Sequence, residues 1–261
     1  MLALTLVDFK NPTKLSLWVK IFSYFCIAAS LFSLFANYIE YDFYQKQLTD
    51  YFINDEIAVV AQETQEKWVT TAGLLQSVSF FQYFIFLLWV YRINKNTRAI
   101  AQSDMKYSPI WSILWFGIPI ANLYKPYFVV RELWTANHSS PMLSQSKNAK
   151  FIVFFWIFAV TSLTLSQGVF KYGLKADELS QLIQQNKLTV ISDLLDIMFF
   201  VFTIILVTKI HKLHMIRFSP HEQEYHQLIS KMPLGGESSR KLLLLSALIL
   251  IVSGLAIIIF S

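Results

Sequence analysis

The sequence predicts an all-α integral membrane protein, with about five transmembrane helices and a proline-broken hairpin, re-entrant or interfacial, on the cytoplasmic side. Composition is the first observation behind this. Hydrophobic residues make up 55% of the 261-residue chain and charged ones 15%, with a mean hydropathy of +0.46. A soluble domain carries nearer a quarter charged residues. The second observation is that the apolar residues gather in five runs of 19 to 23 residues: Ile21–Ile39, Val69–Tyr91, Phe151–Phe170, Val190–Thr208 and Leu242–Phe260. About 20 residues at ~1.5 Å each cross a ~30 Å hydrocarbon core, where the backbone must satisfy its own hydrogen bonds and so coils into helices. The third is the uneven spread of Lys and Arg among the connecting segments, which sets orientation.

The first helix is expected over about residues 15–39. The preceding "MLALTLVDFKNPTK" has no basic start, and no small-residue cleavage site follows the run, so the helix reads as retained and the N-terminus as cytoplasmic. The one cysteine, Cys26, lies inside it, which excludes an intramolecular disulfide or a zinc knuckle. The following segment, Glu40–Lys67, holds two lysines against seven acids and belongs outside. It either extends both flanking helices or lies on the surface, and it is read as a solvated loop. The second helix, about 69–92, ends in the basic "YRINKNTR", which belongs inside.

The stretch from Tyr107 to Trp134 is apolar enough to enter a membrane but is interrupted. Ser108 and Pro109 form a helix start, with a capping hydroxyl and a proline at the first helical position. A helix from there to about Phe116 spans only some 13 Å, too short to cross. Gly117, Pro119 and Pro126 then break it, and a second short helix starts at Pro126. If the segment crossed, Lys147, Lys150 and the basic stretch after helix 189–210 would fall outside. If hairpin 108–134 begins and ends inside, every basic segment falls inside, which the positive-inside rule favours. Irregular backbone at depth is tolerated only when buried in protein or beside water, so a re-entrant turn would pack on other helices. The aromatics Trp111, Trp115, Tyr124, Tyr127 and Trp134 suit an interfacial position equally. Helices at about 151–171 and 189–210 complete a multi-pass domain of residues 1–217. A cytoplasmic linker, 218–240, and an additional transmembrane helix, 241–260, follow.

The residues after the second helix form a dense pattern: Arg92, Asn96, Tyr107-Ser108-Pro109, Trp111, Trp115, Pro119, Asn122-Leu123, Pro126-Tyr127 and Arg131-Glu132-Leu133-Trp134. This pattern resembles a bacterial membrane family known as domain of unknown function 4328, whose four-helix arrangement would cover roughly residues 15–217. The acidic Glu40–Lys67 segment and the tail after Phe218 depart from it. The resemblance implies a bacterial inner-membrane location and brings no activity.

Candidate functional residues are few. Asn122, Lys125, Arg131 and Glu132 could bind a ligand or a lipid phosphate; alternatively Asn122 caps a helix and the cations reach to headgroups. Asp193 and Asp196, three apart in the fourth apolar run, are a candidate cation-binding pair, or else sit at headgroup level near a helix N-terminus. His211 and His214 have metal-ligand spacing, but a basic segment attracted to anionic lipid explains them more simply. No HExxH, GxSxG or phosphate-binding glycine loop is present, and the apolar runs hold no histidine for a haem. The expectation is therefore no catalytic residue, no metal and no cofactor. The net charge of +5 follows topology, so the expected partners are anionic lipid headgroups and a membrane protein or second copy, not nucleic acid. The favoured reading is a non-enzymatic membrane component acting through protein or lipid contacts. The alternative is a small transporter or channel, with the hairpin and Asp193/Asp196 lining its path.

The charge pattern makes topology testable. In a Cys26→Ser background, cysteines at Ser140 and Arg240 should be protected from an impermeant thiol reagent in intact cells, while one at Asp55 should react. Labelling at Ser140 from outside would overturn the hairpin reading.

Overall fold

The computed structural model describes residues 9–49, 55–101, 105–138 and 150–219. The expected linker 218–240, beyond Ser219, and helix 241–260 lie outside the described residues. Eight helices make up most of what is described: α1 (Thr13–Leu48), α2 (Asp55–Gln76), α3 (Val78–Ala101), α4 (Trp111–Leu114), α5 (Pro119–Asn122), α6 (Lys125–His138), α7 (Lys150–Gly173) and α8 (Leu179–Phe218). Four helical stretches are long and apolar enough to cross a membrane: Thr13–Leu48, Ile57–Ile100, Lys150–Gly173 and Leu179–Phe218. The chain is an all-α integral membrane protein.

The helices outrun the apolar runs. At 1.5 Å per residue, α1 with 36 residues and α8 with 40 are about 54 and 60 Å long, well beyond a ~30 Å core. The segment Glu40–Lys67, expected to be a solvated loop, is largely helical instead. In the acidic stretch, α1 continues to Leu48 and α2 begins at Asp55, because Glu40–Lys67 contains no glycine or proline and is rich in helix-forming Glu, Gln, Lys and Ala. A Lys46–Asp42 ion pair of 2.6 Å one turn apart adds local support. Between α7 and α8 only Leu174–Glu178 remains outside helix.

Local chemistry sets the boundaries. Asn11 Oδ1 accepts from the Thr13 amide at 2.9 Å and opens α1. The helix expected at 69–92 is lengthened at both ends and interrupted at Ser77, whose hydroxyl donates to Leu74 O at 2.6 Å just after Gly73. Glycine and serine at such spacing are frequent causes of a helix break.

The chain divides into two compact units. Unit 1 comprises Met1–Lys20, Tyr83–Val153 and Ile204–Ser261; unit 2 comprises Ile21–Gln82 and Phe154–Thr203. In unit 1 the buried side chains include Phe9, Val19, Trp89, Ile93, Val129, Val130, Leu133, Leu206 and Ile210. In unit 2 the interior is smaller and more polar: Cys26, Ala29, Ser30, Ser33, Ala36 and Asn37 of α1 are buried, with Ala72, Gln82, Phe155 and Phe200. The buried positions of α1 follow one stripe, Ser16, Val19, Ser23, Cys26, Ser30, Ser33 and Asn37, alternating steps of three and four. Many of its large apolar residues, such as Trp18, Phe25 and Leu31, are exposed. That is the inverse of a soluble helix. Lipid tails solvate Leu and Phe well, so close packing of small residues and hydrogen bonding drive association.

This arrangement predicts an asymmetric response to size. Ser30→Leu should destabilise by about 1–3 kcal/mol through overpacking, whereas Leu31→Ala, on the lipid-facing side, should leave the detergent-solubilised midpoint nearly unchanged. Thermal unfolding in mild detergent measures both, and equal midpoints for the two variants would contradict the packing.

Candidate functional site

The sequence motif folds around two grips on one short segment. Asn94 Nδ2 donates to Tyr107 O at 3.0 Å, and Arg98, bonded to Asn94 Oδ1 at 3.2 Å, donates to Tyr107 O at 2.8 Å and to Met105 O. From α6, the Glu132 carboxylate accepts from the backbone amides of Lys106 and Tyr107, the latter at 3.2 Å. A guanidinium on the carbonyls and a carboxylate on the amides are charge-assisted contacts. They tie the end of α3 and the middle of α6 to the segment that launches the hairpin. Glu132 is thus occupied by the backbone.

The hairpin follows from its prolines. Ser108 Oγ lies 3.4 Å from the Trp111 amide and Ser108 O accepts from Ser112 at 2.8 Å, so the first turn starts where Ser108 and Pro109 place it. It is shorter than the sequence suggests, since α4 ends at Leu114. Ile118 is extended (φ −91°, ψ 114°), as a residue before proline prefers, and Pro119 opens the one-turn α5. Asn122 closes α5, is half-buried and makes no side-chain hydrogen bond, so it caps nothing in α6. Pro126 is buried in the first turn of α6, which runs to His138 instead of ending near Trp134. Tyr83 of α3 donates from its hydroxyl to Phe116 O at 3.0 Å.

One face of the hairpin is sealed and the other is apolar and open. Ile113, Phe116, Ala121, Val129, Val130, Leu133 and Trp134 are buried, the last against the Phe151 ring at 4.8 Å. Ile110, Trp111, Ile118, Leu123, Tyr124 and Phe128 are exposed, with Ile120 at 78%. Lys125 Nζ sits 5.2 Å from the Trp115 ring centre and 5.4 Å from that of Tyr124. Arg131 is exposed and its guanidinium has no hydrogen bond or ion pair among the described residues. Burial pushes the His138 imidazole below the ordinary histidine range.

His214 belongs to the same unit and is not an exposed basic residue. Its Nδ1 lies 2.9 Å from Asn137 Oδ1 and its Nε2 3.4 Å from Asn96 Nδ2. An amide oxygen accepts and an amide nitrogen donates, so one neutral tautomer, protonated on Nδ1, serves both. Asn96 also bonds Lys10 O and the Lys10 amide, and Asn137 donates to Thr97 at 3.1 Å. His211 instead pairs with Ser16 Oγ at 3.1 Å, which accepts from Trp89 at 2.9 Å.

In unit 2, the two aspartates are far from any helix start. Because α8 begins at Leu179, Asp193 lies about four turns inside it, not at a headgroup-level N-terminus. They also point to different partners. Asp193, 2% exposed, accepts from Gln76 Nε2 at 2.7 Å and Asn37 Nδ2 at 3.1 Å, while Asp196 accepts from Ser162 of α7. Asn37 connects onward. Asn186 Nδ2 donates to Asn37 O at 2.9 Å and to Glu40 Oε2 at 2.8 Å, and Glu40 Oε1 accepts from Tyr44 and Gln65. Beside this network lies a cavity of about 180 Å³ whose lining includes Ser33, Asn37, Glu40, Gln76, Asn186 and Thr189. Sequence reasoning singled out Asp193 but missed Asn37, Glu40, Gln76 and Asn186. The α1 stripe ending in Asn37 was the available signal. Among the described residues no group of three His, Cys, Asp or Glu has metal-holding geometry.

A family model for Domain of unknown function (DUF4328) matches residues 55–212, more than half of the chain. The chain belongs to that family. The match takes in α2 to α7 and most of α8, including the hairpin, Asp193 and Asp196, but starts after α1, later than the expected residue 15. No curated protein and no solved structure matches the chain.

The double grip on the segment before the hairpin is testable. Glu132→Ala strands two backbone amides and should cost about 1–3 kcal/mol of stability, while Glu132→Gln keeps one acceptor oxygen and should cost less. Thermal unfolding of the purified variants measures this ordering; equal losses would show the carboxylate to be dispensable.

Proposed function

We propose that this family member is a non-enzymatic component of the bacterial inner membrane, with its N-terminus in the cytoplasm, whose hairpin lies in the cytoplasmic interface and holds anionic lipid headgroups. The observation that carries this reading is the hairpin's open face: seven large apolar residues between Ile110 and Phe128 are exposed, with Lys125 and Arg131 in the same element. A short amphipathic element of this kind buries its apolar side at the acyl boundary and leaves its cations among the headgroups. Cation–π contacts with Trp115 and Tyr124 hold Lys125 near the aromatics. Arg131, exposed and without a protein partner among the described residues, is free to take a phosphate. The sealed opposite face, closed by Val129, Val130 and Leu133, supports a contact surface over a conducting path through the hairpin.

The test is stability as a function of lipid charge. In nanodiscs, replacing part of a zwitterionic lipid by an anionic one should stabilise the wild type by about 1 kcal/mol per engaged basic residue. Arg131→Ala should lose its share of that gain. Arg131→Lys should recover only part, because guanidinium grips a phosphate at two points and ammonium at one. Identical behaviour in neutral and anionic nanodiscs would overturn the reading.

A further inference from the structure

Within unit 2, helix α2 is lightly held. Of its side chains from Ile57 to Gln76, only Gln65 and Ala72 are buried. Its tertiary anchors are correspondingly few. Gln65 Nε2 donates to Glu40 Oε1 of α1 at 3.1 Å, and Gln76 Nε2 donates to Asp193 Oδ1 of α8 at 2.7 Å. Between them the Trp68 ring rests against Phe32 and Phe35 of α1, with centroids 5.7 and 5.3 Å apart. Gln65, Trp68, Ala72 and Gln76 follow one another in steps of three and four, so they form a single inward stripe with a carboxamide at each end.

Part of that stripe walls the cavity of about 180 Å³. Val69, Gly73 and Gln76 of α2 line it together with Ala36 and Asn37 of α1 and Leu182 of α8. A Cβ added at Gly73 would meet no atom within 4 Å, so α2 passes the cavity without filling it. The helix then stops at Gln76. Ser77 belongs to neither α2 nor α3, and its hydroxyl takes Leu74 O at 2.6 Å. The Phe80 amide donates to Ser77 O at 3.2 Å, three residues back where an α-helix uses four, while the Ser77 amide still reaches Gly73 O at 3.2 Å. The break is thus a bend whose hydrogen bonds are met. Glycine–serine pairs are frequent kink sites, and small residues at the ends of elements commonly act as hinges. On the far side of the bend, α3 buries Gln82, Phe86, Leu87, Trp89 and Val90. A firmly packed helix and a lightly held one meet at Ser77.

We propose that α2 is a gate over this cavity, turning at Ser77 and latched shut by the Gln76–Asp193 and Gln65–Glu40 hydrogen bonds. Each latch is one carboxamide donor on one carboxyl oxygen, and water replaces it when the helix swings outward. Elements that move are drawn from the parts of a fold with few buried contacts, and α2 meets that condition. The gate is separate from the hairpin and does not rest on the lipid-binding function. Its hinge and three of its four latch residues lie inside the family match, with Glu40 before it.

The experiment uses the full-length protein in mild detergent, with Ala36→Cys as reporter. Ala36 lines the cavity and is 1% exposed, so a thiol there reacts with a water-soluble maleimide only when the gate opens. Native Cys26, buried on the same helix and outside the lining, is the internal control, and peptide mapping separates the two thiols. Gln76→Leu should speed labelling of the reporter about tenfold, the scale of one lost hydrogen bond to a carboxylate, and Gln65→Leu should act in the same direction. Ser77→Ala alters an exposed residue, cuts no latch and strands no buried group. It should slow the labelling, because alanine favours a continuous helix through the bend. A reporter rate unmoved by all three variants would overturn the proposal. So would an equal rise at Cys26, which marks general loosening in place of a hinged gate.

Discussion

A polar side chain on a membrane-spanning helix has no water to turn to, and its hydrogen bonds must be met by other helices. The rest of this structure depends on that constraint. It explains why the buried stripe of α1 carries serines, a cysteine and an asparagine while Trp18, Phe25 and Phe35 face outward. It also explains why each buried carboxamide described here, in Asn37, Asn94, Asn96, Asn137 and Asn186, is tied to a specific acceptor or donor on another segment. Such bonds give a helix pair one preferred register, since sliding by a turn would strand several buried groups at once.

In unit 1 that constraint produces rigidity. Arg98, Asn94 and Glu132 secure both edges of the Met105–Tyr107 segment, and His214 joins Asn96 to Asn137 through a single tautomer. The irregular hairpin is consequently presented by fixed elements, with its apolar and cationic face turned outward. Tight residue spacing in the family motif then has a physical reason. Asn94 and Arg98, outside the motif, and Glu132 within it hold backbone, while its prolines shape the turns.

In unit 2 the same constraint is met around buried carboxyl groups. Gln76, Asn37 and Asn186 direct their NH₂ groups at Asp193 and Glu40, so the carboxyl oxygens are met by donors from neighbouring helices. Neutral donors lower the cost of burying such groups.

The sequence by itself determined the class of the protein. Uninterrupted apolar runs, a low charged fraction and proline positions are local properties, and a bilayer translates them directly into helices and breaks. The same locality made the start of the hairpin at Ser108 and Pro109 legible. Helix lengths were less so, because hydropathy marks where lipid ends and not where a helix ends; the polar extensions of α1, α2 and α8 are helical through propensity and local pairing. What only the tertiary structure decided is which polar residues meet. Asp193 and Asp196 stand three apart on one helix, yet one reaches α1 and α2 and the other α7, and His214 is a buried connector instead of a surface base. Those pairings join residues up to 156 positions apart. They are set by how helices rotate against one another, a quantity that no local pattern contains.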